Sequence, residues 1–349
     1  MTGKPIFSAP RMTFRPAAIM TDEVREQMAE RMIGGEHPDQ VAKWLSMRGF
    51  PADVVRKEIT AATRDPFYRG MTKLQTRLRK YEWVLANQRK AAALDPAIGE
   101  LAHEEKIAPD RFFADYYAHG RPVLIDGLVD HWPAMDLWSL DHIAETLGET
   151  KVAVQDGREA DADYEYNNLQ HERLVPFSAL AERFRGTAPT NDFYITANNA
   201  DRNRDRLAPL YDEIAPIPGI LEEGGEQQGF FWMGPKGTIT PFHHDLTNNL
   251  LVQIAGEKRV KMVAPHDTPL MRNNRHCYSG WSGADLPAGD PEPGKPRVIE
   301  CTLGPGQALF LPVGWWHHVE GLSLTIGMSF TAFARPNDHY SDYSSHGEM

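Results

Sequence analysis

Hydrophobic positions recur at helical spacing through the first hundred residues and at strand spacing thereafter. "TDEVREQMAERMIGG" sets Val24, Met28 and Met32 four residues apart behind a Thr or Asp N-cap, with acidic residues in the first turn and a Gly-Gly stop. "HPDQVAKWLSMRGF" repeats the scheme, with Pro38 at the first helical position and Val41 and Leu45 turned inward. "PADVVRKEITAAT" starts at Pro51 and turns Val54, Val55 and Ile59 inward. A longer helix is predicted over "YRGMTKLQTRLRKYEWVLANQRKAAAL", where Leu74, Leu78, Tyr81 and Leu85 share one face. Residues 21–95 therefore read as a helical region. Residues 1–20, with three prolines and no helical period, read as a flexible arm.

From about residue 96 the period shortens to two. "RPVLIDGLVDHWPAMDLWSL" predicts a buried strand at Val123 to Ile125, a glycine turn, and a helix entered through Trp132 and Pro133. "TKVAVQDG" and "NDFYITANN" read as short alternating strands. Further on, "GFFWMGPKGTITPFHHD", "NLLVQIAGEKRVKMVAP", "RVIECTLGPGQALFLP" and "VEGLSLTIGMSFTAFAR" follow one another with Gly/Pro punctuation. Many short strands with tight turns predict a mainly β fold, an antiparallel sandwich or barrel, over residues 96–337. The Gly/Pro-rich stretch 271–297 is too long for a hairpin turn and reads as a functional or mobile loop. Residues 338–349 read as a tail.

Composition narrows the function classes. The 349 residues are 41% hydrophobic and 24% charged, ordinary values for a globular chain. A net charge of −11 argues against nucleic acid or an anionic membrane as the partner of the whole surface. Between Arg64 and Lys90, however, eight Lys or Arg stand against two Asp or Glu. That basic stretch suits a solvated helix face, a docking surface for an acidic or extended partner, or the helix of a homodimer. Cys277 and Cys301 make no disulfide framework. No apolar run approaches the roughly 18 residues of a membrane span, and no signal peptide is evident at the N-terminus. A cytoplasmic protein is expected.

The chemistry concentrates in two doubled histidines, "TPFHHD" and "GWWHHVEG". Successive strand residues point to opposite faces, so His243 and Asp245 point together and His244 points away. A histidine and a carboxylate on one face offer a nitrogen and an oxygen to one metal ion. A third ligand from a distant strand would complete a facial triad with open positions, the arrangement of non-haem Fe(II) oxygenases. Alternation alone leaves open whether that ligand is His317 or His318.

The ordered series "RPVLIDGLVDHWPAMDLWSLD", "TPFHHD", "NNLLVQIAGEKRV", "LGPGQALFLPVGWWHHVE" and "LTIGMSF" resembles the cupin-type JmjC oxygenases, near the asparaginyl hydroxylase that inhibits the hypoxia-inducible factor. The resemblance runs from about Arg121 to Arg335. It implies a double-stranded β-helix, a jelly roll with Fe(II) at its mouth, 2-oxoglutarate and O₂ as cosubstrates, and His317 as the late ligand. It places a 2-oxoglutarate carboxylate on Lys258, with the hydroxyls of Thr240 and Tyr194 beside it, and Asn249 near the metal. A lysine suits that task as a point charge on a long stem. The sequence departs from the pattern at Thr196, where the asparaginyl hydroxylase has glutamine, and at Ser329, where it has asparagine. Its substrate is therefore not carried over.

The implied activity is hydroxylation of an unactivated C–H bond on a peptide or protein side chain. The alternatives are N-methyl-lysine demethylation by the same chemistry, which needs an acidic or aromatic lining that the sequence does not identify, and a non-catalytic metal-binding scaffold. A Zn²⁺ hydrolase lacks a general base at motif spacing.

Overall fold

Residues 19–95, 97–223, 229–339, 341 and 343 are described by the computed structural model. Residues 1–18 of the expected arm and most of the expected tail lie outside the described residues. The chain divides into two compact units between Asn87 and Gln88, inside the long fourth helix.

The first unit holds helices α1 (Asp22–Ile33), α2 (Pro38–Met47), α3 (Ala52–Arg64) and most of α4 (Pro66–Ala92). Thr21 caps α1 by accepting a hydrogen bond from the Val24 N–H, and His37 caps α2 through Nδ1. The inward residues of the helical pattern meet in one cluster: Met28, Met32, Val41, Leu45, Phe50 and Val55. The apolar face of α4 does not join it, and no residue of α4 is buried.

In the second unit the chain runs through β1 (Ala102–Glu105), β2 (Val123–Asp126), β3 (Lys151–Asp156), β4 (Glu172–Pro176) and β5 (Phe193–Tyr194). It continues through β6 (Phe230–Gly234), β7 (Ile239–His244), β8 (Asn249–Ala255) and β9 (Lys258–Val263). The last strands are β10 (Ile299–Leu303), β11 (Gln307–Leu311), β12 (Trp316–Gly321) and β13 (Thr325–Phe330). One sheet has the order β1-β2-β11-β8-β13-β6, the facing one β10-β9-β12-β7, and a small third sheet β4-β3-β5. The two facing sheets form a jelly-roll core.

Period-two alternation sorts the side chains into layers. Val123 and Ile125 of β2, Ala308 and Phe310 of β11, and Leu250 and Val252 of β8 face outward from the larger sheet. There they pack on Trp132, Ile143, Phe177 and Phe184 of the covering helices α5 (Leu140–Leu147) and α6 (Phe177–Phe184) and their joints. Leu124, Leu309 and Leu311 point the other way and meet Val260, Met262 and Val319 between the sheets. Each such side chain contributes about 1.5–3 kcal/mol of burial. One end of the space between the sheets is thereby filled, and the other stays open.

Two expectations change. "NDFYITANN" keeps only Phe193 and Tyr194 as strand, because the Asn199 side chain accepts from the Thr196 N–H at 3.2 Å and closes a turn. The stretch 271–297 is not a loose loop: Met271, Trp281 and Leu286 bury themselves on Phe242, Val263 and Trp316, on the outer face of the smaller sheet. Lys261 anchors it by donating to the carbonyls of Gly283 (2.8 Å) and Leu286 (3.1 Å). Among the described residues no helix is long and apolar enough to cross a membrane.

The β8–β9 turn has one position that admits only glycine. Gly256 has φ +72°, and a Cβ there would stand 1.9 Å from the Leu324 carbonyl oxygen. Gly256→Ala is expected to lower unfolding stability by about 2–5 kcal/mol through backbone strain and overpacking. Gly294→Ala, also at positive φ but in open space, should cost only about 1–2 kcal/mol. Urea denaturation of the two variants measures the difference.

Candidate metal centre

The site grows from the pairing of β7 with β12. The strands are antiparallel with His243 opposite His317 and Trp316 opposite His244, and the register shifts between His317 and Val319. Both inward histidines therefore stand side by side, their ring centroids 4.2 Å apart. Asp245, one step past the end of β7, turns its carboxylate to them. Its Oδ1 lies 3.5 Å from His243 Nε2, and its Oδ2 3.8 Å from His317 Nε2. One ligand atom from each of the three residues falls within 4.8 Å of the others.

The two imidazoles are held in the same way. His243 donates from Nδ1 to the Pro241 carbonyl (2.9 Å), and His317 donates from Nδ1 to the Trp315 carbonyl (3.0 Å). Because a carbonyl only accepts, Nδ1 carries a proton, and in the neutral ring each Nε2 turns a lone pair to the centre. Asn249 Nδ2 donates to Asp245 Oδ2 at 2.9 Å and orients the carboxylate.

Charge states follow from burial and neighbours. Burial pushes His317 down to about 4, and neighbouring His243 adds to the fall. Burial works against protonated His243 as well, but the Asp245 carboxylate beside it carries its pKa above the ordinary imidazole value. Burial would raise Asp245, yet His317, His243 and Asn249 hold it well below the usual carboxylate range. Two imidazole nitrogens and one carboxylate suit a divalent ion that keeps open positions. The Asn249 Oδ1, buried and without a hydrogen-bond partner among the described residues, leaves an unused acceptor beside them.

Above the three residues lies a cavity of about 290 Å³, to which Tyr194, Thr240, Asn249 and Lys258 also contribute. Lys258 is only 8% exposed. Among the described residues its ammonium has no carboxylate partner. Its Nζ lies 5.7 Å from the Trp232 ring centroid. Burial pushes its pKa down to about 8. An unpaired buried cation is costly, and an anion in the cavity would relieve that cost. Tyr194 is buried and lines the cavity together with Thr240. All seven residues singled out in the sequence thus surround one space.

The remaining histidines sit differently. His244 lies at the rim with its ring edge-on to Trp316 at 4.8 Å and donates from Nδ1 to the Asp245 carbonyl. His318 points to the outer face of the sheet, 5.3 Å from Phe242 and under Gly283, where a Cβ would come within 2.4 Å of its Nε2.

Among the cavity residues that escaped sequence reasoning are Glu165, Trp232 and Tyr278. Trp232 alternates with Phe231 and Met233 of the outer core, so period two held a signal for it once the inner face was known. Its indole N–H donates to Ser329 Oγ at 2.8 Å. Tyr278 comes from the 271–297 stretch, which pairs along β7: the Ser279 N–H donates to the Phe242 carbonyl and the His244 N–H to the Cys277 carbonyl. Glu165 sits in a turn-rich segment with no period. Its Oε1 accepts from Arg158 at 2.8 Å. That guanidinium is buried and lies 4.3 Å from the Tyr164 ring centroid.

Comparison with known proteins adds a family. The chain is 31% identical over 237 residues to the lysine-specific demethylase JMJ30 of Arabidopsis thaliana, an alignment covering 64% of this chain and 52% of that protein. It is 24% identical over 253 residues to the human bifunctional peptidase and (3S)-lysyl hydroxylase JMJD7, covering 64% and 80%. It is 23% identical over 257 residues to the human tRNA wybutosine-synthesizing protein 5, covering 70% and 81%. The chain spans about half the length of JMJ30 and of the lysine-specific demethylase 8 of Xenopus tropicalis. Residues 109–333, most of the chain and all of the cavity, match the family described as the cupin-like domain. The chain belongs to the cupin-like domain family, with JmjC proteins among its relatives.

Proposed function

We propose that this protein is an Fe(II)- and 2-oxoglutarate-dependent oxygenase that hydroxylates a side chain of a peptide or protein. The observation that carries the reading is the convergence of His243, Asp245 and His317 beside a buried Lys258 that has no anionic partner. Iron with 2-oxoglutarate and O₂, when bound, would supply the oxidation of an unactivated C–H bond. The chain's own residues do the rest. His243, Asp245 and His317 would hold the metal, their orientation fixed by the Pro241 and Trp315 carbonyls and by Asn249. Lys258, with Thr240 and Tyr194, would take a carboxylate of 2-oxoglutarate. Trp232 lines the cavity near Lys258.

The substrate side of the reading rests on Glu165 and Tyr278. A carboxylate and an aromatic ring in the cavity wall favour a basic side chain, in line with the lysine named in several relatives. Resemblance to the asparaginyl hydroxylase contributes the ligand pattern and no substrate, since Thr196 and Ser329 depart from it. The same lining that favours lysine also favours N-methyl-lysine, and formaldehyde release separates demethylation from stable hydroxylation. A net charge of −11 weighs against tRNA as the substrate.

Three outcomes are expected. First, His243→Ala, Asp245→Ala and His317→Ala abolish both Co(II)-induced thermal stabilisation and succinate formation, while His244→Ala and His318→Ala retain measurable turnover. An active His317→Ala variant would sink the ligand assignment.

Second, binding of 2-oxoglutarate to the Mn(II)-loaded protein weakens as pH rises. The free Lys258 loses its proton near pH 8. A bound dianion raises the lysine pKa, so the binding contribution is full below about pH 8 and declines above it. Lys258→Met should weaken binding by about 2–5 kcal/mol and flatten that pH dependence. Calorimetric titrations between pH 7 and pH 9.5 read both effects.

Third, Glu165→Gln, which keeps a hydrogen-bond acceptor for Arg158, should raise KM for a lysine-containing peptide substrate. It should leave the slow 2-oxoglutarate turnover without peptide unchanged. Equal loss of both would place Glu165 in the scaffold rather than at the substrate.

A further inference from the structure

Helix α4 carries an apolar stripe that its own unit does not use. Phe67, Met71, Leu74, Leu78 and Tyr81 follow at steps of four, three, four and three, and they are 86, 51, 57, 50 and 62% exposed. Leu85, the next step, is half-buried. The helix touches the α1–α3 cluster through other residues: Tyr68 packs against it, and Arg79 donates to the Ile33 carbonyl at 3.2 Å.

The repeat of 3.5 residues identifies the kind of surface that fits. At about 100° per residue the five side chains span only ~80° of the helix circumference, the narrow seam of a coiled coil rather than the broader face of a core helix. The flanks identify the partner. With Met71 and Leu78 in the first core position of the heptad and Phe67, Leu74 and Tyr81 in the second, Arg77 borders the seam on one side and Glu82 on the other. They are five residues apart, the separation at which the flanking charges of two parallel strands meet. Two-fold symmetry makes that pair twice. Neither residue has an ion-pair or hydrogen-bond partner among the described residues. An antiparallel pairing would instead oppose like flanks and bring like charges together.

A membrane surface fits less well. An interfacial helix carries Lys and Arg along both borders and its Trp on the apolar side. Here one border holds Tyr68, Gln75 and Glu82, and the exposed Trp83 lies on the far side of the helix from the stripe. We propose that α4 is the seam of a parallel two-stranded coiled coil between two copies of this chain, with Arg77 of each copy paired to Glu82 of the other.

The test is made on the full chain. Light scattering behind a sizing column should give twice the 39.3 kDa chain mass. Leu74→Glu with Leu78→Glu should give the single-chain mass with an unchanged circular dichroism spectrum, because these side chains are exposed in the single copy. Arg77→Glu alone and Glu82→Arg alone should each raise the dimer dissociation constant about tenfold, and the two together should restore it. Leu74→Cys should form a disulfide-linked dimer on mild oxidation, as only a parallel seam places residue 74 against itself. A single-chain mass at every concentration overturns the proposal, as does a dimer that survives the Leu74→Glu, Leu78→Glu change. So does wild-type protein that stays monomeric in solution and co-sediments with phosphatidylserine vesicles; α4 would then be a membrane-surface helix. A dimer indifferent to both charge reversals and uncrosslinked at residue 74 overturns the parallel arrangement.

Discussion

The antiparallel pairing of β7 with β12 is the constraint on which the candidate centre depends. It puts His243 directly opposite His317 and, through the reach of one further residue, brings Asp245 to both. Without that register each histidine would be an ordinary strand residue. A slip of one position would exchange His243 for His244 and His317 for His318, sending two imidazoles to the wrong face. The register is locked on both faces. Trp316 and Phe242 are buried in the outer cluster, while Val319 is buried between the sheets.

The cavity concentrates polar groups that an apolar core would exclude. Lys258 is buried near Trp232, in a cavity that Leu251 and Val319 also line, with no counter-charge among the described residues. Such a group lowers stability by itself, and an anion in the cavity would supply the missing charge. Arg158 is the contrasting case. It is more deeply buried, but its Nη2 donates to Glu165 and to the Ile239 carbonyl, and its guanidinium lies over the Tyr164 ring. Removing Glu165 altogether would strand that guanidinium, so the residue that faces the cavity also maintains the wall behind it.

The stretch 271–297 links the outer layer to the site. Its apolar residues pack on the outside of the smaller sheet, and its short run Cys277–Ser279 pairs alongside β7 through the backbone. Tyr278 thereby reaches the rim beside His243, at a ring separation of 5.9 Å. A segment that carries both core packing and a cavity residue fixes the entrance more firmly than a solvated loop would.

Much was legible in the sequence because it depends on short-range regularities. Helical spacing foretold α1 to α4, and period two placed most of the β strands, though not β1 or β4. One-step alternation put His243 with Asp245 and apart from His244. These rules need no knowledge of what lies across the chain. The choice between His317 and His318 was different. Alternation made them equivalent, and resemblance to a family, not geometry, favoured His317. Tertiary structure alone decided which face of β12 looks inward, which carbonyls hold the two imidazoles, and that Lys258 has no carboxylate nearby. It alone brought Glu165, from an aperiodic turn, and Tyr278, from a stretch read as a loop, to the same cavity as the triad. It also showed that the regular stripe of α4, whose spacing alone does not tell whether it is covered, is left facing out. The physical reason is common to all of these. Periodicity records which side chains share a face, whereas the partner of that face is set by contacts between residues far apart in the chain.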